Sequence, residues 1–457
     1  MTRSTSTRSS GTRSSGGVEP PSTTTIISIL LAGLLATYVV DPTCFQSPSP
    51  TIKVLLHRPS HKIPAAKWHA RGASTPPSNG PLTTKQVLQY YNDGFLVLPN
   101  FFQQHLPGLQ SDVESLINTL ASDLFDAGHV KSTYSNSSWT ERLLRLTEDY
   151  PDAPLVLIKG GVLPAHFQRL YSDVKMLDVA NQLGVGPDVA VNAAWNLRAK
   201  MQRHEETTVP WHQDNSYWEP RIWDEHVITV WVSLVDANVE NGCMQFVKGG
   251  HMSGKTARHT IGTTTRTWYT ELAVDDMKSD LFTSTLEDND DVVESRMFTA
   301  EVPAGTAIIF PGTTPHRSLN SVSDQIRWST DYRLHRHHAT RKGKSDSSLD
   351  WFYGLKDSLL LREGNQGEKN GEKGSRSSSR YFPNWSEWAK MERTKIQDEG
   401  LGAASSIKFD PVIVGPWMDL WNITTHQSGG KNEHVERYME TEAGRRPGGE
   451  GYLPDNW

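Results

Sequence analysis

The sequence predicts a mainly β domain with flanking helices (α+β), in which antiparallel strands form a sandwich or a barrel. Between about residues 188 and 334, short runs of β-branched and aromatic residues are separated by Gly, Pro, Asn and Asp, which is typical of successive strands and turns. The stretch before it has the apolar spacing and the end signals of helices. Composition agrees with a folded, loop-rich chain, since 36% of the 457 residues are hydrophobic, 21% are charged, and Gly and Pro number 35 and 26.

The first predicted elements are a helix, a short strand and a longer helix. The stretch KQVLQYYND has helical spacing, with Thr84 as its N-cap and Gly94 at its end. Residues 95–98 (FLVL) form an apolar run that predicts a short buried strand, and a second helix is predicted at about 106–125. We therefore expect the folded domain to begin near Leu82.

Several apolar runs in the second half of the domain are predicted to be strands. They are VITVWVSLVD (227–236), CMQFV (243–247), AEVP (300–303), AIIFP (307–311) and RWSTDYRL (327–334). Their short lengths and the turn residues between them favour antiparallel pairing over a parallel sheet.

The two ends of the chain differ in composition from the domain. Residues 1–24 are rich in Ser, Thr and Arg and are predicted to be disordered. An uncharged apolar run occupies 25–40, and a Pro- and Ser-rich linker follows at 41–81. Past the domain, 362–380 is predicted to be a low-complexity loop. The C-terminal extension, 381–457, contains several tryptophans and is expected to pack on the core.

The apolar run TIISILLAGLLATYVV at 25–40 has three interpretations: a signal-anchor helix, a cleavable signal or organelle-targeting segment, and a buried core helix. Started at Ser22, the uncharged stretch would be about 28 Å long as a helix, which is just enough to cross a bilayer. We therefore expect a single-pass signal-anchor protein of the endomembrane system, associated with the membrane through this run. The alternative is an organelle-targeted or secretory-pathway soluble protein.

Charge and cysteine content exclude several classes of function. Lys and Arg number 46 against 52 Asp and Glu, a net charge of -6, so no overall basic field attracts nucleic acid and none is expected as a partner. The two cysteines, Cys44 and Cys243, are too few for a disulfide scaffold or a Cys-rich metal site. Any bound metal must therefore be held by His and carboxylate side chains.

The strongest local signal is the segment WHQDNSYW, which contains a His-x-Asp triplet. In a strand, residues two apart project to the same face, so His212 and Asp214 can present an imidazole nitrogen and a carboxylate oxygen to one ion. A third ligand fits at His316, which follows the predicted strand AIIF and a Pro-Gly turn. Two His and one carboxylate are the facial triad of non-haem Fe(II) sites, which leaves coordination positions open. Arg327 begins a strand-like run shortly afterwards, and a buried guanidinium is suited to bind a carboxylate bidentately.

Further motifs follow the triplet in order. These are VWVSLVDA (230–237), ENGCMQ (240–245), a Gly-His turn, and then the Pro-Gly, His and Arg already described. Together they resemble the phytanoyl-CoA dioxygenase family of Fe(II)/2-oxoglutarate-dependent oxygenases. The resemblance covers 82–334 and implies a double-stranded β-helix core, a cupin-like jelly roll, in a domain placed at 82–345.

Carried over to this sequence, the resemblance implies that His212, Asp214 and His316 are the catalytic Fe(II) ligands and that Arg327 pairs with 2-oxoglutarate. It also implies O2 as the oxidant and ascorbate as a reductant. The reaction would hydroxylate an unidentified small organic or lipid-like substrate, with succinate and CO2 as coproducts.

Three further positions resemble cosubstrate contacts of the family. Ser318 lies two residues after the second His, and Trp218 lies four after the Asp. Lys200 stands where several members have a basic residue, which would face the cosubstrate or an acidic substrate. The sequence departs from the family at Lys248-Gly-Gly-His251, where relatives more often have Pro-Gly-Ser-His; this affects a turn and none of the ligands.

Other functions remain open alternatives. A catalytically silent, membrane-tethered jelly roll used for binding or scaffolding would keep the fold without iron, and a metal-dependent hydrolase would use the same ligands without 2-oxoglutarate. The segment GGHMSGKT (249–256) matches the P-loop pattern, but the Thr-rich stretch after it is a poor helix. The sequence leaves the substrate and the oligomeric state open.

Overall fold

The computed structural model describes the central region of the chain and a few short pieces beyond it. The described residues are 80–159, 163–186, 189–191, 195–218, 220, 223, 225–261, 267–282, 292–336, 359–361, 363–364, 380–381 and 420–421. The segments predicted at 1–24 and 25–40, nearly all of the linker, and most of 362–380 and 381–457 lie outside them.

Helix α1 (Thr84–Asp93) opens the described region with signals that the sequence carries. A capping box starts it: the Thr83 hydroxyl accepts from the Gln86 backbone N–H, and the Gln86 side chain accepts from the Thr83 N–H at 2.9 Å. The N-cap is thus Thr83 and not Thr84, because Thr84 already has helical geometry. Gly94 ends the helix at φ 85°, a left-handed conformation that glycine adopts without strain.

Helices α2 to α6 form one layer of the domain. They are α2 (Leu106–Asp126), α3 (Arg142–Asp149), α4 (Ala153–Lys159), α5 (Ala165–Tyr171) and α6 (Val174–Gln182). The face of α2 that carries Leu109, Val113, Ile117 and Leu124 is fully buried, as expected for apolar residues spaced three or four apart. Each such side chain contributes roughly 1.5–3 kcal/mol when it leaves water. These residues join a core cluster with the outer face of the large sheet.

Two main antiparallel sheets pack with the helical layer. The large one has the order β1-β9-β4-β11-β2-β12, with β3 also paired to β11, and the small one has the order β10-β5-β8; β6 pairs with β7, and β13 with β14, in two further two-stranded sheets. The strands are β1 (Leu96–Leu98), β2 (Val189–Val191), β3 (Asn196–Lys200), β4 (Ile228–Ser233), β5 (Met244–Val247), β6 (Thr260–Ile261), β7 (Thr270–Glu271), β8 (Met297–Ala300), β9 (Ala307–Pro311), β10 (His316–Ser318), β11 (Arg327–Arg336), β12 (Leu359–Leu361), β13 (Glu363–Gly364) and β14 (Arg380–Tyr381). Helix α7 (Val274–Leu281) comes between β7 and β8.

The two faces of the large sheet belong to different core clusters, one toward the helices and one toward the small sheet. Along β4, Ile228, Val230 and Val232 pack with the helices, while Trp231 joins a second cluster between the sheets. Because successive strand residues point to opposite faces, this alternation separates the helix-facing core from the interior. Phe246 of the small sheet completes that interior cluster. The two facing sheets form the predicted double-stranded β-helix, a jelly roll with helices on one side.

Most strand predictions are confirmed to within a few residues, and one is displaced. The run AEVP was predicted as a strand at 300–303, but the strand that pairs with β5 is Met297–Ala300. Val302 pairs only at an isolated bridge with Ala237, because Pro303 lacks an N–H to continue a ladder.

The single-pass membrane location predicted from 25–40 is corrected. Within the described residues, no helix combines the length and the apolar character that crossing a bilayer requires. The run 25–40 itself lies outside these residues.

Candidate active site

Three potential metal ligands converge inside the jelly roll. One ligand atom each from His212, Asp214 and His316 lies within 4.8 Å of the others, and all three residues are buried. Oδ1 of Asp214 is 3.5 Å from Nε2 of His212 and 3.8 Å from Nε2 of His316. The structure thus brings together the three residues that the sequence grouped.

Backbone pairing sets the positions of these side chains. His212 and His316 form an antiparallel bridge, with N–O distances of 3.0 and 2.9 Å. Asp214 is not in a strand as predicted, but is the first residue of a 3-10 helix, Asp214–Tyr217. The chain leaves the strand direction there because the Asn215 N–H donates to the carbonyl of Gly312 at 3.0 Å. The carboxylate therefore reaches the histidines from a turn.

Hydrogen bonds fix which nitrogen of each imidazole is free. Nδ1 of His212 lies 2.9 Å from the carbonyl of Pro210, and Nδ1 of His316 lies 2.9 Å from that of Thr314. A carbonyl can only accept, so each Nδ1 carries the proton and each Nε2 presents its lone pair toward Asp214. Burial, followed by the neighbouring imidazole, lowers the pKa of His316 to about 3. The ring is therefore neutral at physiological pH, as a metal ligand must be.

The second oxygen of Asp214 is held by two donors. Oδ2 accepts from the Thr229 hydroxyl of β4 and from the Arg333 guanidinium of β11, the latter at 3.0 Å. Burial alone would raise the pKa of this carboxyl, but the charge of Arg333 holds it well below its usual range. Asp214 is thus ionised, with Oδ1 directed to the histidines.

A second cluster of polar groups surrounds Arg327, which is buried at 2% exposure. Its guanidinium donates to the Ser329 hydroxyl at 2.7 Å and to the Gly242 carbonyl at 2.9 Å. Its Nε is buried without a hydrogen-bond partner among the described residues. An unsatisfied buried donor is costly, and a bound carboxylate would satisfy it.

Lys200 lies opposite Arg327 in the pairing of β3 with β11. Its Nζ donates to the Thr207 carbonyl at 3.2 Å and to the Ser318 hydroxyl at 3.1 Å. Within the described part of the chain no carboxylate is paired with this ammonium. Burial, followed by the charges of Arg327 and Arg198, lowers the pKa of Lys200 to about 6. Two buried basic groups therefore meet without a counter-charge, which is the environment a dicarboxylate cosubstrate needs.

The glycine in this cluster is required by a close approach. Gly242 has φ 80°, and a Cβ on it would lie 2.5 Å from the carbonyl oxygen of Leu319 and 2.8 Å from Cε of Lys200. Any side chain would therefore displace the lysine.

The last residue predicted to contact the cosubstrate, Trp218, is packed against Gly312. A Cβ at Gly312 would lie 2.7 Å from the indole, so the glycine leaves room for the ring. The backbone carbonyl of Trp218 accepts from the indole N–H of Trp223 at 2.9 Å. In the structure this residue supports the ligand turn, and a cosubstrate contact stays a prediction.

Sequence reasoning missed a chain of alternating charges that begins at the candidate metal ligand Asp214 and ends at Arg198. Arg333 bridges Asp214 and Asp331, and Asp331 in turn binds Arg198 of β3. The signal was present in RWSTDYRL: every second residue is polar, namely Arg327, Ser329, Asp331 and Arg333. A strand with this alternation directs all four side chains to one face.

A small cavity, partly open to solvent, joins the two clusters. Its lining has five Lys or Arg residues and two Asp residues. The lining includes Arg198, Lys200, Arg327, Arg333, Asp214 and Asp331 together with both histidines. Because the basic side chains outnumber the acidic ones in this lining, the cavity favours anionic ligands.

Comparison with known proteins assigns the family. Residues 90–329, more than half of the chain, match the sequence profile of the phytanoyl-CoA dioxygenase (PhyH) family. The chain belongs to this family. The matched region contains the three candidate metal ligands and all four candidate cosubstrate residues. As a phytanoyl-CoA dioxygenase family member, the protein is a 2-oxoglutarate-dependent dioxygenase, an Fe(II)-dependent oxygenase. The family, fold class and enzyme class predicted from the sequence are thereby confirmed.

Individual relatives of the phytanoyl-CoA dioxygenase family are distant. The chain is 25% identical over 277 residues to a phytanoyl-CoA dioxygenase of Arabidopsis thaliana, covering 56% of this chain and 89% of that protein. It is 23% identical over 287 residues to phytanoyl-CoA dioxygenase domain-containing protein 1 of Bos taurus, covering 55% and 90%. Among solved structures, the epimerase SnoN in complex with Fe3+, alpha ketoglutarate and nogalamycin RO matches with a TM-score of 0.34 and 17% identity, over 55% of this chain and 82% of that one.

The residues present fit the cofactors of the family. Two imidazole nitrogens with free lone pairs and one carboxylate oxygen suit Fe(II). The Nε of Arg327, which has no partner among the described residues, and the buried amine of Lys200 suit the far carboxylate of 2-oxoglutarate.

Proposed function

We propose that the protein hydroxylates a small organic or lipid-like substrate, R–H, in the reaction R–H + 2-oxoglutarate + O2 → R–OH + succinate + CO2. The observation that carries this is that one cavity joins a two-His, one-carboxylate ligand set with two buried basic residues, Arg327 and Lys200, for which the described residues supply no carboxylate partner. The ligand set alone is compatible with several metals. The adjacent cationic pocket adds the requirement for an anionic cosubstrate.

In this proposal, His212, Asp214 and His316 hold Fe(II), which supplies the redox chemistry that activates O2 for attack on the substrate. The protein fixes the ligands before the metal arrives. The carbonyls of Pro210 and Thr314 hold both rings in the tautomer that leaves Nε2 bare. Arg333 holds the carboxylate ionised and oriented, which reduces the reorganisation needed on binding.

Arg327 and Lys200 would bind the distal carboxylate of 2-oxoglutarate. Ser318 positions the lysine, since its hydroxyl accepts from Lys200 Nζ and from the backbone N–H of Val209 at 3.0 Å. The stem of Lys200 is fixed by its contact with Gly242. Burial of these groups excludes water and strengthens each charge interaction. Ascorbate stays the predicted reductant that keeps the iron in the Fe(II) state.

The test is anaerobic titration of the full chain with Fe(II), followed by 2-oxoglutarate, monitored by the visible charge-transfer band of the ternary complex. We expect the band in the wild type, its loss in His212→Ala, and its persistence in His129→Ala, which alters an exposed histidine on the helical side. Absence of the band in the wild type, with no iron retained, would support a silent scaffold. Metal binding without any 2-oxoglutarate response would support a hydrolase.

A further inference from the structure

The turn that carries Asp214 is held by hydrogen bonds from several parts of the chain. The side chain of Gln213, fully buried between two ligands, donates to the carbonyls of Lys255 and Thr313 and accepts from the N–H of Ala257 at 2.7 Å. Its backbone N–H donates to Nε2 of His259 at 3.0 Å. Every polar group of this residue is therefore engaged in holding the turn.

A residue far along the chain completes the support. Trp421 lies 421 − 329 = 92 residues after the end of the family match, and it is fully buried against the turn. Its indole N–H donates to the carbonyl of Ser216 at 2.7 Å. Its ring stacks on Trp223, with centroids 6.1 Å apart and an interplanar angle of 11°, and lies 5.0 Å from the ring of His259.

These contacts form a connected unit around one metal ligand. His259 holds the residue before Asp214, Trp421 holds the second residue after it, and the two rings contact each other. Ser216 lies in the last half of the four-residue 3-10 helix Asp214–Tyr217, where few N–H groups follow within the helix to donate to a carbonyl. Without the indole N–H, this carbonyl would lose the donor that Trp421 supplies among the described residues, and the turn would gain freedom at the position of Asp214.

We infer that Trp421 is a positioning residue of the active site, which together with His259 holds the Asp214 turn in the geometry that binds the metal. The inference rests on the proposed function, since it assumes that Asp214 is a ligand. It assigns a role in metal binding to a residue outside the family region. Metal binding and the docking of Trp421 are then coupled, so each strengthens the other.

The test uses Co(II) as a probe, because its visible spectrum reports coordination geometry as well as occupancy. Trp421→Ala should weaken Co(II) affinity roughly 10- to 100-fold, as expected for loss of a group that orients a ligand, and should alter the Co(II) bands. Trp421→Phe keeps an aromatic ring but loses the donor, so its affinity should lie between wild type and Trp421→Ala. Trp139→Phe, which removes an indole near Trp328 on the helical side, should leave both readouts unchanged.

Melting temperatures of the metal-free variants separate local from global effects. If Trp421→Ala fails to fold, Trp421→Phe carries the test alone, since its ring still fills the site. Wild-type affinity and wild-type Co(II) bands in Trp421→Phe and in any folded Trp421→Ala would overturn the inference and leave the proposed function intact. Failure of the wild type to bind Co(II) at all, with His212→Ala behaving identically, would overturn both.

Discussion

We predict that Lys200 makes the binding of 2-oxoglutarate sensitive to pH. In the empty site, burial and the nearby Arg327 and Arg198 lower the pKa of its ammonium to about 6, against an ordinary value near 10.5. The arrival of the distal carboxylate places an opposite charge beside Nζ, which favours the charged form and raises the pKa again. Between these two pKa values, binding must take up one proton.

The sign and size of the effect follow from this linkage. Below pH 6 the lysine is already charged, so affinity should be nearly independent of pH. Above pH 6 the empty site is neutral at Lys200, and the dissociation constant should rise by up to about tenfold for each pH unit. 2-Oxoglutarate is therefore expected to bind more tightly at pH 6 than at pH 8, by up to about 100-fold.

Anaerobic calorimetry of the Fe(II)-loaded chain measures this directly, and buffers of different ionisation enthalpy give the number of protons taken up. Lys200→Met should remove both the pH slope and the proton uptake, with affinity near the weakest wild-type value. Lys85→Met, at an exposed position on α1, is the matched control and should titrate like the wild type. A flat wild-type profile between pH 6 and 8, or an unchanged slope in Lys200→Met, would refute the reasoning.

Three further variants test separate parts of the site. Arg333→Gln removes the charge that holds the aspartate ligand, so metal affinity should fall roughly tenfold; an unchanged metal titration would contradict that role. Gly242→Ala forces a Cβ to within 2.5 Å of a backbone carbonyl and should lower both the melting temperature and 2-oxoglutarate affinity. Gly128→Ala is its control, because Gly128 has a similar φ of 76° but open space around it. Equal effects of the two substitutions would show that the lower stability comes from φ alone and not from crowding against Lys200. Ser318→Ala removes the hydroxyl that accepts from Lys200 and should weaken 2-oxoglutarate binding by about five- to tenfold, measured by the same calorimetry. An unaltered dissociation constant would show that this hydroxyl does not position the lysine.

Much of the fold could be predicted because strand and helix signals are local. Alternating apolar runs placed β4, β9 and β11, and the end of α1 followed from Gly94. Two predictions failed because they depended on tertiary context. Pro303 ended one predicted strand early, and Asp214 left the strand direction because the N–H of Asn215 donates to the carbonyl of Gly312. Such ties join residues far apart in sequence, and no local pattern encodes them.

The sequence predicted part of the candidate site and missed the residues that reach it through long-range pairing. The candidate metal ligands and Arg327 follow each other in a motif order, so the sequence could group the residues that the structure brings to one cavity. Arg198 and Asp331 were missed although strand alternation predicts a polar face, because the pairing of β3 with β11 was not foreseen. Trp421 carries no local signal that links it to Ser216, 205 residues away. Only the folded chain brings these two together.

The most direct test of the account is the conversion of 2-oxoglutarate to succinate by the full chain with Fe(II), O2 and ascorbate. We expect succinate from the wild type and none from His212→Ala or Asp214→Ala, with both variants folded by circular dichroism. Succinate formation at the wild-type rate in either variant would contradict the assignment of the metal site, and with it the central claim.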